Sequence, residues 1–220
     1  MLHYGCDKEE CFRGERHKQG MNAKFFDLKK EKQDRMINAA LKVFALHGYR
    51  HAGTDEIVRE AGISKGLLFH YFGCKLGIYS FVYDYSVRYM LLELRATVNP
   101  AQSDLFEVLR QTEAARMHAM RNYPYMQKFL NRSLTEDVSE ALVETEQRKE
   151  ILLEAYAGVE EQIDYSLLPA NVDGPKLRKM LDFTVKGLME ERFGEEAFHP
   201  EMLYEEISDY LDMMKAIVYR

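Results

Sequence analysis

The sequence predicts an all-α fold of about nine helices, and three observations carry that reading. Apolar residues recur at helical spacing along most of the chain. No segment sustains period-2 alternation, and no Asn-Gly or Asp-Gly pair separates two strand-like runs. All five prolines (Pro100, Pro124, Pro169, Pro175 and Pro200) fall between the apolar stripes or in a first helical turn. A missing N–H is tolerated in those places.

Taken in order, residues 1–20 read as a flexible extension, polar and aperiodic, with no apolar signal-like core. His3, Cys6, Cys11 and His17 are residue types that bind zinc. The four residues between the cysteines miss the usual ligand-pair spacing, so no metal is expected. From Lys29 to His47, Ile37, Ala40, Leu41 and Phe44 mark one buried helix face, and Gly48 is its stop signal. Thr54-Asp55-Glu56 starts a short helix with a hydroxyl cap and two acids in the first turn. That helix ends at Ala61-Gly62, and Ser64 caps a third running to about Tyr71.

Longer helices follow. Their stripes are Ile78, Val82, Tyr85, Tyr89 and Leu92, then Leu105, Leu109, Thr112, Arg116 and Met120. The next runs through Leu152, Tyr156, Val159, Ile163 and Leu167, and the last through Leu203, Ile207, Leu211, Met214 and Val218. The 220 residues suffice for a small domain at 21–76 and a larger one at 77–220.

Charge divides the chain in the same place. The formal net charge is −6, which alone counts against a nucleic-acid partner. Residues 21–76, however, carry ten basic and six acidic groups, whereas 77–220 carry sixteen basic and twenty-six acidic. A basic end on an acidic body is the pattern of a polyanion-facing head. No apolar run is long enough to span a bilayer. The three cysteines do not suggest a disulfide framework, and a cytoplasmic location is expected. Cys74 reads as a bystander thiol, with no second cysteine near it in sequence.

The informative stretch is Thr54 to Lys75, two short helices about a tight turn. Gly62 sits where the chain reverses, and Ile57, Val58, Ala61, Leu68 and Phe72 supply a shared core. This is helix-turn-helix grammar, with Lys65, Gly66, Phe69 and His70 on the outer part of the second helix. Spacing alone also fits a helical hairpin that only packs, with His70 and Tyr71 as core residues.

From Ile37 to Lys75 the sequence resembles the TetR (tetracycline-repressor) family of bacterial transcription regulators. The matching residues are Ile37, Ala39-Ala40, Phe44, Gly48-Tyr49, Thr54, Ile57, Ala61 through Gly66, His70-Tyr71-Phe72 and Lys75. The resemblance implies that Thr54 caps the second helix and reaches a phosphate, and that Ser64 caps the recognition helix. It places Lys65 and Gly66 at the groove-facing start, His70 and Tyr71 on DNA, Tyr71 mainly through backbone phosphate, and Lys75 on a phosphate. Leu67, Phe69, Gly73-Cys74 and Leu76 depart from the usual pattern, which affects base readout more than docking.

The resemblance also implies a C-terminal domain that binds a small effector and dimerises. An apolar pocket would draw on Tyr89, Met117, Met120, Tyr125, Phe129 and Tyr156, residue types that serve equally as ordinary core. The helix from Lys176 to Arg192 is apolar around most of its circumference and needs two partners. Leu177, Met180, Phe183 and Gly187, with Tyr210 and Met214 of the last helix, form the expected interface of a two-fold dimer. No phosphate loop, activated nucleophile, paired catalytic carboxylates or metal cluster is legible, so neither an enzyme nor a cofactor is expected. The expectation is a ligand-responsive repressor that binds a palindromic operator as a homodimer and is released by a small, largely apolar effector.

Overall fold

The computed structural model describes residues 24–195 and 198–220. The reading of residues 1–20 as an extension, with His3, Cys6, Cys11 and His17, lies outside them. The described residues form nine α-helices of eight or more residues and no strand. These are α1 (Lys30–His51), α2 (Thr54–Ala61), α3 (Lys65–Phe72), α4 (Lys75–Thr97), α5 (Leu105–Asn122), α6 (Met126–Ser133), α7 (Ser139–Glu161), α8 (Gly174–Arg192) and α9 (Pro200–Val218). A 3-10 turn at Tyr165–Leu167 joins α7 to α8.

The chain packs as two compact units. The first ends at Val87 and takes in Tyr125–Lys149, and the second comprises Arg88–Pro124 and Glu150–Arg220. This division differs from the boundary after residue 76 suggested by the motif and the charge. Motif and charge mark where a site ends, whereas packing decides where a core ends, and α6 packs on α1.

In the first unit, Met36, Ile37, Ala40, Leu41, Val43 and Phe44 bury one face of α1. The helix breaks at Gly48, whose φ of 66° and ψ of 176° lie outside the helical region. Phe44, Tyr79, Tyr83 and Phe129 form an aromatic cluster with edge-on and tilted rings, a favoured aromatic geometry. A second cluster joins Phe25, Phe72 and Phe81, with ring centroids 4.9–5.3 Å apart. Phe25 is fully buried and the turn that carries it is held by Gln33, whose Nε2 donates to the carbonyls of Phe26 and Leu28. Cys74 is buried and disulfide-bonded, which corrects the expectation of a bystander thiol. Distance in space, not in sequence, decides which thiols meet.

The second unit has one core, built by α5, α8 and α9 around Leu105, Phe106, Leu109, Leu181, Leu203 and Ile207. Side-chain caps start its helices: Asp104 accepts from the N–H of Glu107, and Asp173 from that of Lys176. Two stripes need correction. Leu92 is 63% exposed, and the buried line along α4 runs through Ile78, Val82, Met90 and Leu94. Leu167 is 51% exposed because α7 ends at Glu161 and the chain tightens into the 3-10 turn. Helical phase cannot be extended past a helix end.

Candidate nucleic-acid interface

The helix-turn-helix is set by local chemistry. Gly62 closes α2 in the left-handed conformation, φ 63° and ψ 43°, which an L side chain adopts only at a cost. Ile57, Ala61, Leu68 and Phe72 are buried between the two helices, as the sequence suggested, and Val58 and Ile63 are half-buried. The Ser64 hydroxyl oxygen accepts from the Leu67 N–H at 3.2 Å and so starts α3. Thr54 does not cap α2. Gly53 occupies the cap position and no side chain bonds there, so Thr54 is the first helical residue and half-buried.

On α3, Ser64, Lys65, Gly66 and His70 are exposed and Phe69 is half-buried. Tyr71 is buried, its ring edge-on to Phe25 at 5.8 Å. This favours the core reading of Tyr71 over a backbone-phosphate contact, because consecutive helical residues point about 100° apart and Tyr71 falls on the side that Leu68 and Phe72 claim for the core. The Lys65 ammonium pairs with Asp55 at 2.8 Å across the turn.

Lys75 opens α4. Its ammonium donates to the Arg50 carbonyl at 3.2 Å and lies 4.9 Å from the centre of the Tyr49 ring. Burial disfavours its charged form and lowers its pKa, against the pull of Glu140 and Glu136. The ends of the helix-turn-helix thus meet, with Arg50 before α2 and Lys75 after α3. Carboxylates of the α6–α7 segment stand around that junction. Glu136 accepts from the Tyr49 N–H at 2.9 Å, Glu140 from the Tyr49 hydroxyl at 2.5 Å, and Asp137 pairs with Arg50 at 3.2 Å. Nothing in the sequence joins residues 49–50 to 136–140 across nearly ninety positions.

The residues suggested for an effector site divide between the units. Tyr125 and Phe129 lie in the first, and Phe129 belongs to its aromatic core. Tyr89, Met117, Met120 and Tyr156 lie in the second, where Met120 is core. There the Tyr89 hydroxyl accepts from Asn122, and Tyr156 lies beneath the Arg116 guanidinium. Sequence reading missed that guanidinium's partner. Glu113 is buried, bonds Arg116 through Oε1 at 2.6 Å, and leaves Oε2 with no partner. Burial raises its pKa against the opposing effect of Arg116. The signal was one turn of α5, a Glu three residues before an Arg already counted on the apolar face.

Of the residues suggested for the dimer, Met180, Phe183, Gly187 and Tyr210 are exposed, and Met214 is half-buried against the core. Leu177 is buried in the core and is corrected to the inner stripe. Among the described residues no group of His, Cys, Asp and Glu is placed to hold a metal, and no helix is long and apolar enough to cross a membrane.

A glycine-turned pair of short helices, capped by Ser64 and presenting Ser64 to Gly66 and His70, defines a helix-turn-helix domain of the DNA-binding type. The family model described as bacterial regulatory proteins, tetR family, matches residues 36–80. The HTH-type transcriptional activator FasR of Mycolicibacterium smegmatis is 40% identical over 68 residues, 30% of this chain and 31% of FasR. The HTH-type regulator TtgW of Pseudomonas putida is 41% identical over 49 residues, 22% of this chain and 37% of TtgW. The chain thus spans about a third of the length of these curated relatives. Across nearly the whole chain, the fold is that of a TetR family regulator from Chloroflexus aurantiacus, with a TM-score of 0.61 at 21% identity over 89% of this chain and 95% of that one. Residues 36–80 thus match the tetR family model and contain the helix-turn-helix, and the chain shares its fold with a TetR family regulator.

Proposed function

We propose that the chain is a transcriptional regulator that binds operator DNA as a homodimer and responds to a small, largely apolar effector. The helix-turn-helix carries this reading. Its second helix leaves Ser64, Lys65, Gly66 and His70 exposed while the rest packs inward. One such helix in each protomer would enter successive major grooves of a palindrome. The exposed face of α8 and α9, with Met180, Phe183 and Tyr210, supports the dimer, since large apolar patches mark association sites. The polar group of Glu113, Arg116 and Tyr156 in the second unit supports a ligand with some polar character.

Repression is the first reading, with effector binding favouring a helix spacing that no longer fits the operator. Activation is the second, supported by the name of the mycobacterial relative. A reporter driven by the chain's own upstream region separates them by the sign of its response. DNA binding itself is tested by gel shift with that upstream duplex. Binding at low salt that weakens steeply as salt rises is expected, because phosphate contacts release counterions. No shift at low salt overturns the reading.

A further inference from the structure

Two cations bracket the helix-turn-helix and meet at its base. Arg50 lies just before α2, Lys75 opens α4, and the Lys75 ammonium donates to the Arg50 carbonyl at 3.2 Å. The segment that faces them is acidic, with Arg132 just before it and Arg148 just after. Residues 134–147 contain Glu136, Asp137, Glu140, Glu144 and Glu146 and no basic residue. Three of these acids converge on the junction. Asp137 pairs with the exposed Arg50 guanidinium at 3.2 Å. Glu140 accepts from the Tyr49 hydroxyl beneath Lys75.

Glu136 is the most firmly held. Its Oε1 accepts from the N–H groups of Asp137 and Val138, and its Oε2 from that of Tyr49. Its charge is therefore fixed in place. The opposite side is fixed as well. A side chain at Gly48 would meet the Arg132 guanidinium at 3.3 Å, so the turn before Tyr49 is closed down on α6. Every one of these residues belongs to the first unit.

A carboxylate paired with the exposed Arg50 guanidinium, and two more drawing on the half-buried Lys75 ammonium, occupy the place that phosphate oxygens would take. We propose that Arg50 and Lys75 form a joint phosphate-binding pair, and that Asp137, Glu136 and Glu140 are its built-in counterions, which DNA must displace. The proposal rests on the DNA-binding reading above and adds Arg50 and the acidic edge to it. Its consequence has an unusual sign. Removing the acids tightens DNA binding, whereas a merely structural role for them would weaken it.

The test is anisotropy titration of the labelled upstream duplex across about 50–300 mM KCl, a range where counterion release dominates. The chain carrying Asp137→Asn and Glu140→Gln is compared with the wild type. Gln keeps an oxygen for the Tyr49 hydroxyl, and the Arg50–Asp137 pair is exposed, so a thermal melt should match the wild type. The expected result is about three- to tenfold tighter binding, with a log–log salt slope steeper by about one for each cation freed. Arg50→Ala added to that background should abolish most of the gain. If the double variant binds no tighter at an unchanged melting temperature, or if Arg50→Ala changes nothing in either background, the proposal is overturned. A wild type that binds no duplex at low salt overturns the DNA-binding reading itself, an outcome distinct from a wild type that binds but whose variant shows no gain.

Discussion

His70 and Tyr71 are neighbours on α3 with opposite fates. His70 is exposed and free of core duty, whereas the Tyr71 ring is packed edge-on against Phe25. The two side chains therefore separate binding from folding. His70→Ala should leave the unfolding free energy within about 0.5 kcal/mol of wild type, as surface changes do. The same variant should weaken duplex binding in the gel shift. Tyr71→Phe should leave duplex binding unchanged, because the Tyr71 side chain is buried against Phe25. The caps show the same economy. Ser64 does bond its helix, and Ser64→Ala should cost about 1 kcal/mol in urea unfolding. Thr54 makes no cap bond, so Thr54→Ala should cost clearly less.

At the scale of elements, the α3–α4 junction is tighter than composition suggests. An added Cβ at Gly77 would stand 2.0 Å from the Phe72 carbonyl oxygen, which is backbone and cannot swing aside. Gly77→Ala should therefore destabilise by about 1–3 kcal/mol, the usual range for overpacking. At Gly158, within α7 and exposed, an added Cβ meets nothing within 4 Å. Gly158→Ala should stabilise by about 0.5–1 kcal/mol through helix propensity. Opposite shifts in the urea midpoint for one substitution at two glycines would confirm both environments. The corrected stripes belong here too. The lines through Leu92 and Leu167 carry a period of 3.6 to where the true buried phase differs or the helix has ended.

At the scale of the whole molecule, two features set apart the inner and outer faces of the second unit. Inside, the buried Glu113 pairs with the half-buried Arg116 and keeps one carboxylate oxygen unbonded. Removing one partner strands a charge, so Glu113→Leu should cost about 3–5 kcal/mol. The double replacement Glu113→Leu with Arg116→Met should recover most of that loss, because an apolar pair of similar volume avoids the desolvation penalty. Unfolding of both variants in urea tests this. Outside, Phe183 is 61% exposed beside Met180 on α8. Phe183→Glu should shift the proposed dimer toward monomer in sedimentation while leaving the monomer folded. A wild type that sediments as a monomer at micromolar concentration would remove the dimer from the functional reading.

The sequence by itself determined what rests on short-range physics. Helical class followed from apolar period and proline placement, the α2–α3 turn from Gly62, and the start of α3 from Ser64. The exposed positions Lys65, Gly66 and His70 also came from one helix read on its own. Tertiary structure decided whatever depends on which segments meet. It buried Tyr71 against Phe25, gave Leu177 to the core, and assigned Tyr125 and Phe129 to one unit and Tyr89 and Tyr156 to the other. It also brought Glu136, Asp137 and Glu140 to the Tyr49–Arg50 turn. The reason is one of range. Hydrogen bonds within a turn of helix are fixed by neighbours in the chain, but burial and charge pairing are fixed by neighbours in space, and those are chosen only when the cores close.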